Sequence, residues 1–71
     1  MQTSNVQTKI LRRKEVCNCV GLSYTSVFRL ERTGRFPSRI RLSPMGRSVG
    51  WLESEIFQWI AERERVVAVQ P

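Results

Sequence analysis

The tripeptide Gly21-Leu22-Ser23 limits what this chain can fold into more than any other feature. Before it, a short helix is expected from about Arg12 to Val20, with Leu11, Val16 and Val20 forming one stripe and Cys17 beside Val16. After it, a second helix is expected from Tyr24 to about Thr33, with Val27 and Leu30, joined by Phe28, on its apolar face. Glycine readily takes the left-handed conformation that closes a helix, so Gly21 ends the first. Ser23 is a natural N-cap for the second, because its hydroxyl can accept an orphan backbone N–H. Two helices joined by so tight a turn must cross steeply, and Arg13–Glu31 fits a helix-turn-helix. Val16 and Val20 then face the second helix. Cys17 stands where the helices approach and only a small side chain fits. Leu22 plugs the gap beneath the turn, and Val27 and Leu30 complete the small core.

Gly34 and Pro37 stop the second helix. Residues 38–51 alternate: Ile40 and Leu42 point one way and Arg39 and Arg41 the other, while Val49 and Trp51 share a face opposite Ser48 and Gly50. Ser43-Pro44-Met45-Gly46-Arg47 supplies the turn between them. This pattern predicts a β-hairpin with an apolar inner face and a basic outer one. A third helix is expected from about Leu52 to Arg63, with Leu52, Ile56, Trp59 and Ile60 on its inner side and Glu53 and Glu55 favouring its N-terminal dipole. Trp51, Trp59 and Phe36 read as core anchors. The expected fold is mainly α with a small β-hairpin: a winged helix-turn-helix in the order α-α-β-β-α. Residues 1–8 read as a flexible leader, 9–64 as the domain, and 65–71 as a tail whose Val66–Val69 stretch is apolar.

A chain of 71 residues holds one small domain. Its net charge is +6, unevenly spread. Residues 9–47 carry ten basic side chains against two acidic ones, whereas residues 48–71 carry two basic against four acidic. A polyanion partner is therefore expected for the first two-thirds. Ten of the twelve basic residues are arginine, the side chain suited to bidentate contact with phosphate and with guanine edges. There is no histidine, no glycine-rich phosphate loop and no carboxylate pair in an apolar setting, so no enzyme is expected. Cys17 and Cys19 lie too close in sequence for a disulfide and are too few for a zinc site, and no metal or other cofactor is expected. Without a long apolar run, no membrane segment is expected, and the cytoplasm is the expected location.

The expected partner is double-stranded DNA. The start of the second helix would enter the major groove, with Ser23, Tyr24, Thr25, Ser26 and Arg29 against base edges. Arg29 is the leading base reader, since arginine on guanine is the commonest specific pairing. Arg12, Arg13 and Lys14 at the start of the first helix would contact phosphates, as would Arg32, and Arg39, Arg41 and Arg47 on the wing would contact phosphates or the minor groove.

The stretch from about Ile10 to Arg63 resembles the AlpA family of phage and prophage regulators, which belongs with MerR-like winged helix-turn-helix proteins and small phage excisionases. The residues that carry the resemblance are Gly34-Arg35-Phe36-Pro37 after the second helix, Gly50-Trp51 closing the hairpin, and Ser54-Glu55-Ile56 with Trp59 beyond. The resemblance implies a winged DNA-binding fold and control of prophage or mobile-element genes, by activating an integrase gene or assisting excision. Cys17 stands where alanine is more usual, and Phe57 where the family is more often polar. Two alternatives to a transcriptional regulator stay open. An excisionase would bend attachment-site DNA as copies bind side by side. A protein-interaction adaptor would use Phe57 and the Val66–Val69 tail.

Overall fold

The computed structural model describes residues 9–67. Six elements follow one another: β1 (Ile10–Leu11), α1 (Arg13–Val20), α2 (Tyr24–Arg32), β2 (Ile40–Arg41), β3 (Val49–Leu52) and α3 (Glu53–Ala61). The strands form one antiparallel sheet in the order β1-β3-β2. Two consecutive helices and then a hairpin and a third helix follow one another as expected, compatible with a winged helix-turn-helix, but β1 precedes them, so the order is β-α-α-β-β-α. Leu11, expected on the stripe of the first helix, instead pairs with Trp51. The Lys9 carbonyl accepts the Glu53 N–H at 2.7 Å, so the same segment also satisfies the first turn of α3. The expected leader 1–8 lies outside the described residues, as do Ala68 and Val69 of the expected tail, whereas Val66 and Val67 are exposed.

The helix ends follow local chemistry. The Glu15 carboxylate accepts the Arg12 N–H at 2.9 Å and steadies the start of α1. Gly21 has φ 74°, and its N–H donates to the Cys17 carbonyl at 2.8 Å. The Ser23 hydroxyl accepts the Ser26 N–H at 3.2 Å. α2 stops at Arg32, where the Gly34 and Arg35 N–H groups donate to the Glu31 and Leu30 carbonyls, a Schellman closure. α3 stops at Ala61, two residues before the expected end, and its exposed last turn is held by Arg63 Nε donating to the Trp59 carbonyl.

The core is Leu11, Val16, Val27, Phe36, Trp51 and Ile56, with Cys17, Val20, Leu22, Leu30 and Trp59 packed around it. Trp59 is only half-buried: its ring meets Phe36 edge-on at 4.8 Å, and its Nε1 donates to the Arg35 carbonyl. Ile60, expected in the core, is 37% exposed, because Ile56 and Trp59 already fill the inner side of a helix this short.

The hairpin faces differ from expectation. Leu42 N–H bonds the Ser48 carbonyl, Arg41 pairs with Val49, and Ile40 pairs with Gly50. Directly paired residues in an antiparallel ladder project to the same side. Ile40 and Leu42 therefore share a side with Gly50, and Arg39 and Arg41 share one with Val49 and buried Trp51. The reversal follows from the turn, whose length alone decides which parity of one strand meets which parity of the other. Gly50 is required by packing: a Cβ there would sit 2.5 Å from Ile10 Cγ2 and 3.1 Å from the Leu11 carbonyl oxygen. Among the described residues, no helix is long and apolar enough to cross a membrane.

Candidate nucleic-acid interface

α2 turns its buried Val27 to the core and its opposite side to solvent. Of the five residues expected to read bases, Thr25 and Arg29 are exposed there. Tyr24 and Ser26 are half-buried, and the Ser23 hydroxyl is occupied in the N-cap. Arg12, Arg13 and Lys14 are all exposed around the start of α1, on the same side of the molecule as the start of α2. Together with Tyr24, Arg39 and Arg47 they line a groove of about 460 Å³ whose floor is Val49 and Trp51. The reversed hairpin creates this groove, since it brings the basic side of the wing round to face the helices. Among the described residues, no acidic side chain lines it. A larger hollow of about 800 Å³ lies between residues 34–37 and α3, but Glu55 and Glu62 line it alongside Arg35 and Arg63, so it offers a polyanion no net attraction.

Arg41, Arg47 and Arg32 are exposed, as an anion contact requires. Arg39 is not outward-facing like its wing neighbours. Its guanidinium grips Glu31 of α2, with Nη2 to Oε1 at 2.7 Å and Nε to both carboxylate oxygens at 3.0 and 3.1 Å. Its backbone N–H donates to Glu31 Oε2 at 2.7 Å, and Nη1 donates to the Tyr24 hydroxyl at 3.0 Å. The same guanidinium lies 5.0 Å from the Trp51 ring centre. Arg13 covers the Tyr24 ring at 4.5 Å. One relay, Glu31–Arg39–Tyr24–Arg13, thus ties the start of the hairpin to both α1 and α2.

The relay shifts the groups within it. The hydrogen bond from Arg39 holds the Tyr24 hydroxyl below its usual value, against a smaller upward push from desolvation. Because that hydroxyl accepts from Arg39, its own proton is free to be donated outward. Desolvation pushes Glu31 up, but the side-chain and backbone hydrogen bonds from Arg39 outweigh it and hold the carboxyl low. The same bond to Glu31 raises Arg39 further, so the pair is fully ionised at neutral pH.

Two features escape a reading of the sequence alone. Phe28, expected toward the core, is an exposed residue of the outer side of α2. Glu31 is the anchor of the wing. A signal for it exists: it is one of only two acids among residues 9–47, and an acid so outnumbered needs a partner.

The chain matches the family described as prophage CP4-57 regulatory protein (AlpA) over residues 9–64. It belongs to the AlpA family. The matched stretch takes in β1 through α3 and therefore the whole groove. This AlpA-family chain is also 40% identical, over 57 residues, to an uncharacterized protein, ORF88, of Enterobacteria phage P4. That alignment covers 80% of this chain and 62% of the phage protein, so the chain spans less than two-thirds of that relative. No solved structure matches.

Proposed function

We propose that this AlpA-family protein binds double-stranded DNA at specific sequences and regulates phage or prophage transcription. The observation that carries the proposal is the acid-free basic groove where α1, α2 and the wing meet. A concavity lined by one sign of charge focuses field lines and draws in a polyanion. α2 enters the major groove with Thr25 and Arg29 toward base edges, and the wing lies on the adjacent backbone or minor groove. Arg12, Arg13, Lys14, Arg41 and Arg47 contact phosphates, and Tyr24 donates its free hydroxyl proton to another. Arg39 is a positioning residue, spent on Glu31 and Tyr24. The family's description as a prophage regulatory protein supports the regulatory half of the proposal.

Titration of labelled duplexes at several salt concentrations tests it. Five phosphate contacts give a log–log slope of about −4 to −5. Arg29→Ala should cost about 1–3 kcal/mol on the cognate duplex and almost nothing on a scrambled one. Weak binding to every duplex, with a flat salt dependence, would exclude DNA as the partner. Footprinting then separates a promoter site, which marks a transcriptional regulator, from repeated sites at an attachment region, which mark recombination.

A further inference from the structure

We propose that Phe28 reads the 5-methyl group of a thymine in the major groove, an assignment that rests on the DNA-binding function above. Phe28 is 40% exposed, and among the described residues no other large apolar side chain of α2 is so open. At about 100° per residue, Phe28 lies roughly 100° round the helix from Val27, between Tyr24 at about 60° and Arg32 at about 140°. Thr25 at about 160° and Arg29 at about 200° complete the same arc. Phe28 therefore shares the side of α2 that carries the expected base readers.

The ring is already held in place. Its centre is 6.1 Å from that of Tyr24, and the guanidinium carbons of Arg32 and Arg39 lie 5.7 and 5.6 Å away. A side chain fixed in advance loses little freedom when its open face is covered, so the contact is favourable without further ordering. The surroundings say what covers it. Arg32 lies over its ring, Arg29 follows it on α2, and the one acid of that helix, Glu31, is consumed by Arg39. An apolar protein partner would have to leave those cations unmatched, whereas a duplex supplies phosphates beside its bases. Among base edges in the major groove, the apolar projection is the thymine methyl.

The test begins with the full chain selecting its preferred duplex from a random-sequence pool. That duplex is remade with deoxyuridine in place of thymine, one position at a time. Deoxyuridine pairs as thymine does and lacks only the methyl. At one thymine per bound copy the replacement should weaken wild-type binding about fourfold, the worth of one buried methyl group. Phe28→Ala should bind both duplexes equally, and Phe28→Leu should keep part of the preference; circular dichroism confirms that each variant is folded. Indifference of the wild type to every replacement, or a preference that survives in Phe28→Ala, would overturn the assignment while leaving DNA binding standing. A pool that yields no enriched duplex would instead bring down the DNA-binding function, and this assignment with it.

Discussion

Arg39 and Glu31 are the pair on which the candidate interface turns. Their side chains are 25% and 12% exposed, shielded enough that the ionic hydrogen bonds count and wet enough that desolvation does not cancel them. Replacing Glu31 with glutamine keeps the shape and removes the charge, and should cost about 1–2 kcal/mol of stability at neutral pH. The pH dependence has a definite sign. Glu31 is held below its ordinary value of 4.5, so the stabilisation is whole above that value and fades as pH falls through the lowered one. The gap in melting temperature between wild type and Glu31→Gln should be steady around neutral pH and narrow as pH falls below 4.5 and on through the lowered value. Melts followed by circular dichroism check this, and a gap independent of pH would mean that the pair contributes nothing as ions. The sequence marks Glu31 as an acid in need of a partner but does not say that the partner is Arg39. Eight residues separate them, and the alternation that marks Arg39 as a wing residue says nothing about which side of the wing faces α2.

At the level of elements, helices and strands were legible to different degrees. α1 and α2 each run eight or nine residues, long enough for a 3.6-residue period, and Gly21, Ser23 and Gly34 punctuate them with known cap chemistry. β1 has two residues and therefore no period; only its partner Trp51 reveals that Leu11 is extended. The hairpin was visible but its faces were not, because in a hairpin the type and length of the turn, here residues 43–47, fix the register, and alternation alone does not reveal them. As a result the exposure of Thr25, Arg29 and the three basic residues at the start of α1 was legible in the sequence, whereas the inward turn of Arg39 and the outward turn of Phe28 were not. The β1–β3 contact makes a sharp prediction. Gly50→Ala should destabilise the fold by about 1–3 kcal/mol through overpacking, since its methyl would displace Ile10 and press on the Leu11 carbonyl. Pairing it with Ile10→Ala should cost less than the two changes summed. Urea denaturation of the four proteins in the cycle measures this, and strict additivity would show that Ile10 is not what Gly50 accommodates.

Across the whole molecule, charge is segregated along the chain. The basic surface lies within residues 9–47 and the acidic excess within residues 48–71. On α3 the exposed apolar side chains are Phe57, 51% exposed, and Ile60. Two side chains fall well short of the roughly 1,000 Å² that a stable interface buries, and the other exposed large apolar side chains, Phe28, Leu42, Met45, Val66 and Val67, lie on α2, the hairpin and the C-terminal tail. The free protein should therefore sediment as a monomer. On a duplex with adjacent sites, high effective concentration and opposite charges on successive copies favour a head-to-tail contact. Binding there should be cooperative, and Phe57→Ser should reduce the cooperativity while leaving single-site affinity unchanged. Gel shifts on one-site and two-site fragments decide this; a tight dimer in free solution, or independent filling of neighbouring sites, would contradict it. The relay has one more consequence. Tyr24 is the sole tyrosine of the chain, and it sits where both helices of the motif and the wing converge. Fluorotyrosine fed during expression would label that position and no other. A single fluorine resonance would then report whether the groove is empty or filled, with no cysteine introduced and no tag attached.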